Sequence, residues 1–347
     1  GDPLAGQIEA FLRSDAGDPN QPTRISAPKR AAPDNRRLAL ATWRHRLWRE
    51  REIKLPQGAV YLNIAQHFLE VPFFLRWLEA RPDLVPVFFL HDLLPIDYPE
   101  YFPPERKLRF PRILSTALRY AKALIVTCEA TRDRIARHVR DNGHRSIPIH
   151  VGALPADDAF HRLERSPPSS ETPFVMTIGT VEPRKNHLGL LHLWRRFAEQ
   201  NIEAPKLVMV GHIGWENEGV LDLLDRCAAL RGRVLLASGL SDAAYRALLA
   251  RTRGVLAASF AEGYGIPVVE ALTCRTPVIA TDIDVFREVT QGLADFVDPL
   301  DGPAWQRAIL SLMEDGQNEQ AQVRASRFIA PTWDRYFDDL VSFLHRL

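Results

Sequence analysis

From residue 58 onward the chain alternates short apolar runs rich in β-branched residues with longer stretches of helical period, the pattern of parallel sheets covered by helices on both faces. The alternation occurs in two sets. In the first, AVYLN (59–63), VPVFFL (85–90), ALIVT (123–127) and IPIHV (147–151) read as strands, with helices near 69–80, 105–122 and 129–141. In the second, FVMTIG (174–179), KLVMVG (206–211), RVLLAS (233–238), GVLAAS (254–259), PVIAT (277–281) and ADFV (294–297) are strands separated by helical stretches. The expected fold is therefore α/β, two Rossmann-like domains. The proline- and serine-rich RSPPSSETP, Arg165–Pro173, reads as the linker between them. This divides the chain into 1–167, 168–325 and a closing helix at 326–347. In that helix Trp333, Phe337, Leu340, Val341 and Leu344 fall at helical spacing, which predicts an apolar stripe buried against one of the domains.

The first 55 residues are different: DAGDPNQPT and SAPKRAAPDN are turn-rich, and residues 24–54 carry ten Lys and Arg against three acids. Two readings stand for this flank, a solvated irregular segment or contact with an anionic membrane surface or acceptor. Over the whole chain 44 Lys and Arg oppose 43 Asp and Glu, which gives no global case for nucleic-acid binding. Any anion site must be local. No apolar run reaches the length of a spanning helix. Cys128, Cys227 and Cys274 have neither disulfide-framework nor metal-ligand spacing, and reduced cytoplasmic thiols are the expected state. The opening Gly1-Asp2-Pro3 shows no basic and apolar leader pattern, and its lack of Met reads as a trimmed start.

Two turns can carry chemistry. In AASFAEGYGIPVVEALTCRTPVIATD (257–282) a strand ends, Gly263 and Gly265 bracket a turn, and a helix begins near Pro267. Free N–H groups and the helix dipole make such a terminus suited to phosphate. Glu262 precedes the turn and Glu270 lies one helical turn inside, so both carboxylates face the same mouth of the sheet, unless they only complement the dipole. In IGTVEPRKNHLGLLHLW (178–194) a second strand end places Arg184 and Lys185 before a helix with Asn186 as N-cap. Ligands of such sheets bind beyond the carboxyl ends of strands, so these cations suit a diphosphate; the plainer reading is a solvated basic turn. Asp282-Ile283-Asp284 has the spacing of a metal-binding pair, but it follows a late strand and no metal is expected there.

Taken together, these motifs resemble glycosyltransferase family 4, the retaining family of the GT-B fold, in which two Rossmann-like domains face each other across a cleft. The resemblance is strongest in EGYGIPVVEALTCRTPVIA, with Glu270 eight positions after Glu262, and in the EPRKN turn; it is looser in HDLLPIDYPEYFPP (91–104) and ALIVTCEATRDRI (123–135). It implies an acceptor-side first domain and a second domain that binds a nucleotide sugar. Carried over by position, Arg184 and Lys185 neutralise the donor diphosphate and Glu270 holds the ribose hydroxyls. Glu262 contacts sugar hydroxyls near the reacting carbon, beside the backbone of Gly263, Tyr264, Gly265 and Ile266. His91, structural on its own account, matches the position that reaches the donor sugar from the opposite domain.

The implied activity is hexose transfer with retention and without metal, the nucleotide-diphosphate sugar being substrate and no cofactor being needed. The HDLLPIDYPEYFPP stretch is similar to bacterial mannosyl- and rhamnosyltransferases of O-antigen or exopolysaccharide synthesis, so GDP-mannose is the first donor expected. The acceptor would be a glycan or lipid-linked intermediate, met in the cytoplasm or at the inner face of the inner membrane. Alternatives are a nucleotide-sugar epimerase of the same fold and a non-catalytic donor-binding remnant. Family members begin with an apolar strand and a Gly-rich loop, and neither is found before residue 58; LALAT (38–42) is the one candidate strand. The chain either lacks its own start or builds that edge differently.

Overall fold

The computed structural model describes residues 3–27, 55–66, 69–165 and 172–347. The candidate strand LALAT, most of the basic flank and the centre of the expected linker lie outside them. The strands are β1 (Arg24–Ser26), β2 (Val60–Asn63), β3 (Val85–Phe89), β4 (Ala123–Val126), β5 (Ile149–Val151), β6 (Phe174–Ile178), β7 (Lys206–Val210), β8 (Val234–Ser238), β9 (Val255–Ala257), β10 (Val278–Thr281) and β11 (Asp295–Val297). The longer helices are α1 (Pro3–Arg13), α2 (Pro104–Tyr120), α3 (Glu129–Asp141), α4 (His187–Glu199), α5 (Glu218–Arg226), α6 (Asp242–Leu249), α7 (Ile266–Thr273), α8 (Asp284–Val289), α9 (Gly302–Ser311), α10 (Asp315–Ala325) and α11 (Trp333–Leu344).

Two wholly parallel sheets result. The first has the order β2-β3-β4-β5 and the second β1-β8-β7-β6-β9-β10-β11. Strands buried on both faces must be largely apolar, as in Val85–Phe89 and Ala123–Val126, which is why they stand out in the sequence. In the second sheet the order reverses between β6 and β9, so the turns after these strands open on one crevice. Those turns are the EPRKN and EGYG segments.

Residues 3–27 correct the expected division at 1–167, because they build the second domain. β1 pairs in parallel with β8, Arg24 opposite Leu236 and Ile25 opposite Ala237, and so covers an edge that would otherwise be open. Leu4, Ile8, Phe11 and Leu12 of α1 are fully buried in one core with Phe174, Met176, Val208 and Leu248. The buried Lys206 of β7 fixes the end of the helix: its ammonium donates to the carbonyls of Phe11 and, at 2.6 Å, Ser14. Ile8→Val is expected to lower the stability of the second domain by about 1 kcal/mol. Urea unfolding followed by exchange of β7 amides would check this, and loss of protection in β3 instead would return the segment to the first domain.

The closing helix packs on the first domain through a neighbouring face. Leu340, with Tyr336, Phe343 and Leu344, lies on Val87, Phe89, Ala123 and Ile125. Trp333, Phe337 and Val341 of the expected stripe remain 41, 54 and 47% exposed, Trp333 and Phe337 stacking on each other at 5.7 Å. Positions 336, 340 and 344 form a row parallel to 333, 337 and 341, and only the position of the helix on the sheet decides between them.

Candidate active site

The crevice is built from both domains. Arg184 and Lys185 sit in a short 3-10 turn after β6, and Asn186 follows in left-handed backbone, φ 54°. Asn186 occupies the N-cap position, but its side chain makes no capping bond, a correction to the expected role. The EGYG turn lies alongside: the Phe260 N–H donates to the Arg184 carbonyl at 2.8 Å, and the Arg184 guanidinium donates to the Ala261 carbonyl at 3.0 Å. Gly265 has φ 102°, a conformation open to glycine, and α7 starts at the next residue with Pro267 in its first turn. The N–H of Ile266 therefore has no acceptor within its own helix.

The two motifs meet in a buried ion cluster. Glu262 is 5% exposed; it accepts from Lys185 Nζ at 2.5 Å, from Arg184 at 2.6 Å and from Ser259 Oγ at 2.6 Å. Burial alone would raise its carboxyl, but Lys185, Arg184 and the Ser259 hydrogen bond outweigh that and hold it at about 2. Arg184 also pairs with the buried Glu182 at 2.6 Å, so two cations face two carboxylates. His187, at the start of α4, is buried beside them; desolvation, then the Lys185 and Arg184 charges, lower it to about 3, so the ring is neutral. The adjoining cavity, lined by Lys185, Ser259, Glu262 and Gly265, measures about 20 Å³, room for roughly a single water.

Glu270 lies apart from this cluster on α7. It accepts a 2.7 Å hydrogen bond from Tyr245 Oη of α6, and burial raises its carboxyl. Tyr264 is buried with its hydroxyl donating to the Leu154 carbonyl at 3.0 Å, which leaves its backbone as the part able to meet a ligand. His91 stands exposed at the end of β3, its ring 4.7 Å from that of Phe89. Its neighbour Asp92 went unread in the sequence. A Cβ on Gly263 would come 2.8 Å from the Asp92 carboxylate, so the first domain rests directly on the turn. Burial there pushes the Asp92 carboxyl up. The signal was its place beside His91 at a strand end; Ser259 and Glu182 carried no comparable one. Asp282 is spent on Arg287, through bonds of 2.5 and 2.8 Å.

The DYPEYFPP stretch proves to be an interdomain contact: Tyr101 stacks on Phe260 with ring centroids 5.8 Å apart, and the Trp215 indole donates to the Tyr101 carbonyl at 3.0 Å. Two Rossmann-like domains docked across a crevice, with an ion cluster at the switch point of the second sheet, define a GT-B protein. Residues 161–327 match the family described as glycosyl transferases group 1, so the second domain is a group 1 glycosyl transferase domain. This bears out the resemblance to family 4.

The chain is 30% identical over 226 residues to the serotype-specific mannosyltransferase WbdA of Escherichia coli, covering 59% of this chain and 27% of that protein. It is 27% identical over 245 residues to the O-antigen chain mannosyltransferase B of the same species, 67% of this chain and 63% of that one. The chain thus spans less than two thirds of the length of these relatives. Among solved structures, Anabaena Alr3699/HepE in complex with UDP and glucose superposes with a TM-score of 0.62 at 20% identity, over 82% of this chain and 78% of that one. Sucrose-phosphate synthase from Thermosynechococcus elongatus gives 0.63 at 16% identity, over 99% and 91%. These likenesses establish the GT-B fold.

Proposed function

We propose that the chain is a glycosyltransferase that moves a hexose, mannose from GDP-mannose first among candidates, with retention onto a glycan or lipid-linked acceptor in polysaccharide synthesis. The observation that carries this reading is the convergence of Arg184, Lys185 and Glu262 beside the Gly263–Ile266 turn. The O-antigen mannosyltransferases among the relatives support the sugar and the pathway class. Breaking the bond between an anomeric carbon and a diphosphate builds negative charge on the leaving phosphate and positive charge on the sugar. Arg184, Lys185 and the α7 N-terminus meet the first, which is why no divalent metal is required. Glu262, displaced from its cations by the incoming diphosphate, is set free to meet sugar hydroxyls, and His91 closes the site from the other side.

A thermal-shift panel of GDP, UDP, dTDP and their sugars tests the reading, since a ligand at 100 times its Kd stabilises by about 2.7 kcal/mol. GDP-mannose should give the largest shift and transfer to an acceptor should follow. Interconversion of the sugar nucleotide without acceptor would mean an epimerase, and binding without turnover a donor-binding remnant. Glu270→Ala should raise the donor KM about tenfold and spare kcat, because ribose contacts are the same in ground and transition states. An equal fall in kcat would count against a ribose role.

No described helix is long and apolar enough to cross a membrane. The proposed location is cytoplasmic with peripheral contact to the inner membrane, supported by one surface. Phe73 and Trp77, 66 and 40% exposed, lie on the 3-10 segment Pro72–Ala80, which packs against α2 and its exposed Lys107, Arg109 and Arg112. Aromatic and cationic side chains together suit an anionic lipid interface. Phe73→Ser should weaken co-sedimentation with anionic vesicles several-fold; equal binding to zwitterionic vesicles would reject the electrostatic part.

A further inference from the structure

The TCEAT segment, Thr127–Thr131, joins β4 to α3, and the mechanism above makes no use of it. Its polar groups turn toward the second domain. Thr127 Oγ1 and Cys128 Sγ each lie 3.3 Å from the Gly263 carbonyl oxygen, and Thr131 Oγ1 lies 3.4 Å from it. All three residues are buried. Cys128 occupies the N-cap of α3 and its side chain makes no capping bond. The cap comes instead from the other domain: the Glu288 carboxylate of α8 accepts from the N–H of Glu129 at 2.6 Å and of Ala130 at 3.0 Å. The first turn of α3 is thus completed by docking rather than by its own sequence.

The Gly263 carbonyl matters because it shares a planar peptide with the Tyr264 N–H. Fixing the oxygen fixes the direction of that N–H. A turn with glycine at 263 and 265 has little conformational preference of its own, so its shape must be imposed from outside. We propose that Thr127, Cys128 and Thr131 are positioning residues that grip the Gly263 carbonyl, and that the Gly263–Ile266 turn takes its ligand-holding shape only when Glu288 docks the second domain on α3. The link to ligand rests on the reading of this turn as the donor site; the grip itself does not.

The test compares two double variants. Thr127→Val with Thr131→Val removes both hydroxyls and keeps the shape, whereas Thr127→Ser with Thr131→Ser keeps both hydroxyls. Hydrogen exchange across residues 263–266 should speed up tenfold or more in the valine pair and stay near wild type in the serine pair. The Kd of the nucleoside diphosphate that wild type binds best, by calorimetry, should rise about tenfold in the valine pair only. Glu288→Ala, at a partly exposed site that tolerates substitution should the valine pair fail to fold, should speed the same exchange and increase the radius of gyration. Exchange unchanged in the valine pair, or raised equally in the serine pair, would overturn the grip, as would Glu288→Ala without effect on exchange. If wild type binds no nucleoside diphosphate the donor reading fails, and the exchange comparison still decides the grip.

Discussion

Lys185→Ala should slow transfer about a hundredfold, a loss on the order of 3 kcal/mol in transition-state stabilisation. Lys185 Nζ reaches Glu262 at 2.5 Å beside the Gly265 turn, and in the proposed reading this is the ammonium that meets the leaving phosphate. A contact that strengthens as that charge develops acts on kcat, so kcat should carry most of the loss. Arg184 cannot fully substitute, since its guanidinium stays paired with the buried Glu182 after Glu262 is displaced. Steady-state rates at saturating acceptor, with and without EDTA, provide the check. Activity abolished by EDTA and restored by Mn²⁺ would replace this account with a metal-dependent one.

Glu262→Gln should act in two ways that separate by pH. The ionised carboxylate, held at about 2 against an ordinary 4.5, favours the folded state by roughly 3 kcal/mol near neutrality. The folded value is the lower of the two, so this contribution is complete above pH 4.5 and is lost as the pH falls through about 2. Because glutamine mimics the protonated acid, the variant should be less stable than wild type by about that amount at pH 7 and by less than half of it at pH 3. Urea midpoints at both values provide the measurement, and a gap independent of pH would refute the ionic origin. Donor KM should fall, as the anion competing for Lys185 and Arg184 is gone, while kcat drops with the sugar contact.

Much of this architecture was legible. Strands such as Val85–Phe89 and Val278–Thr281 are buried on both faces, and a continuous apolar run has few other uses. β1 was not: Arg24–Ser26 contains one apolar residue, and its partner β8 lies some two hundred positions away. The α1 stripe was visible in principle, but nothing local says which core receives it. At the site, the glycine turn before α7 was legible because backbone conformation is local, and its reading as an anion-holding loop belongs to the proposal. The pairing of Lys185 with Glu262 spans 77 residues, and the approach of Asp92 to Gly263 spans two domains. Such side-chain encounters follow from how the sheets dock, and local spacing does not record them.

The placement of residues 3–27 also bears on synthesis. At about 5–20 residues per second, α1 leaves the ribosome roughly ten to fifty seconds before β8, the strand that β1 must join. Over most of that interval, until β6 and β7 emerge, Leu4, Ile8, Phe11 and Leu12 lack the strands they pack on, while the whole first domain is being made. The nascent chain therefore carries an exposed apolar segment past an already foldable domain, a natural substrate for holding chaperones. Yield in cells should depend on that waiting time more than on the stability of the finished protein.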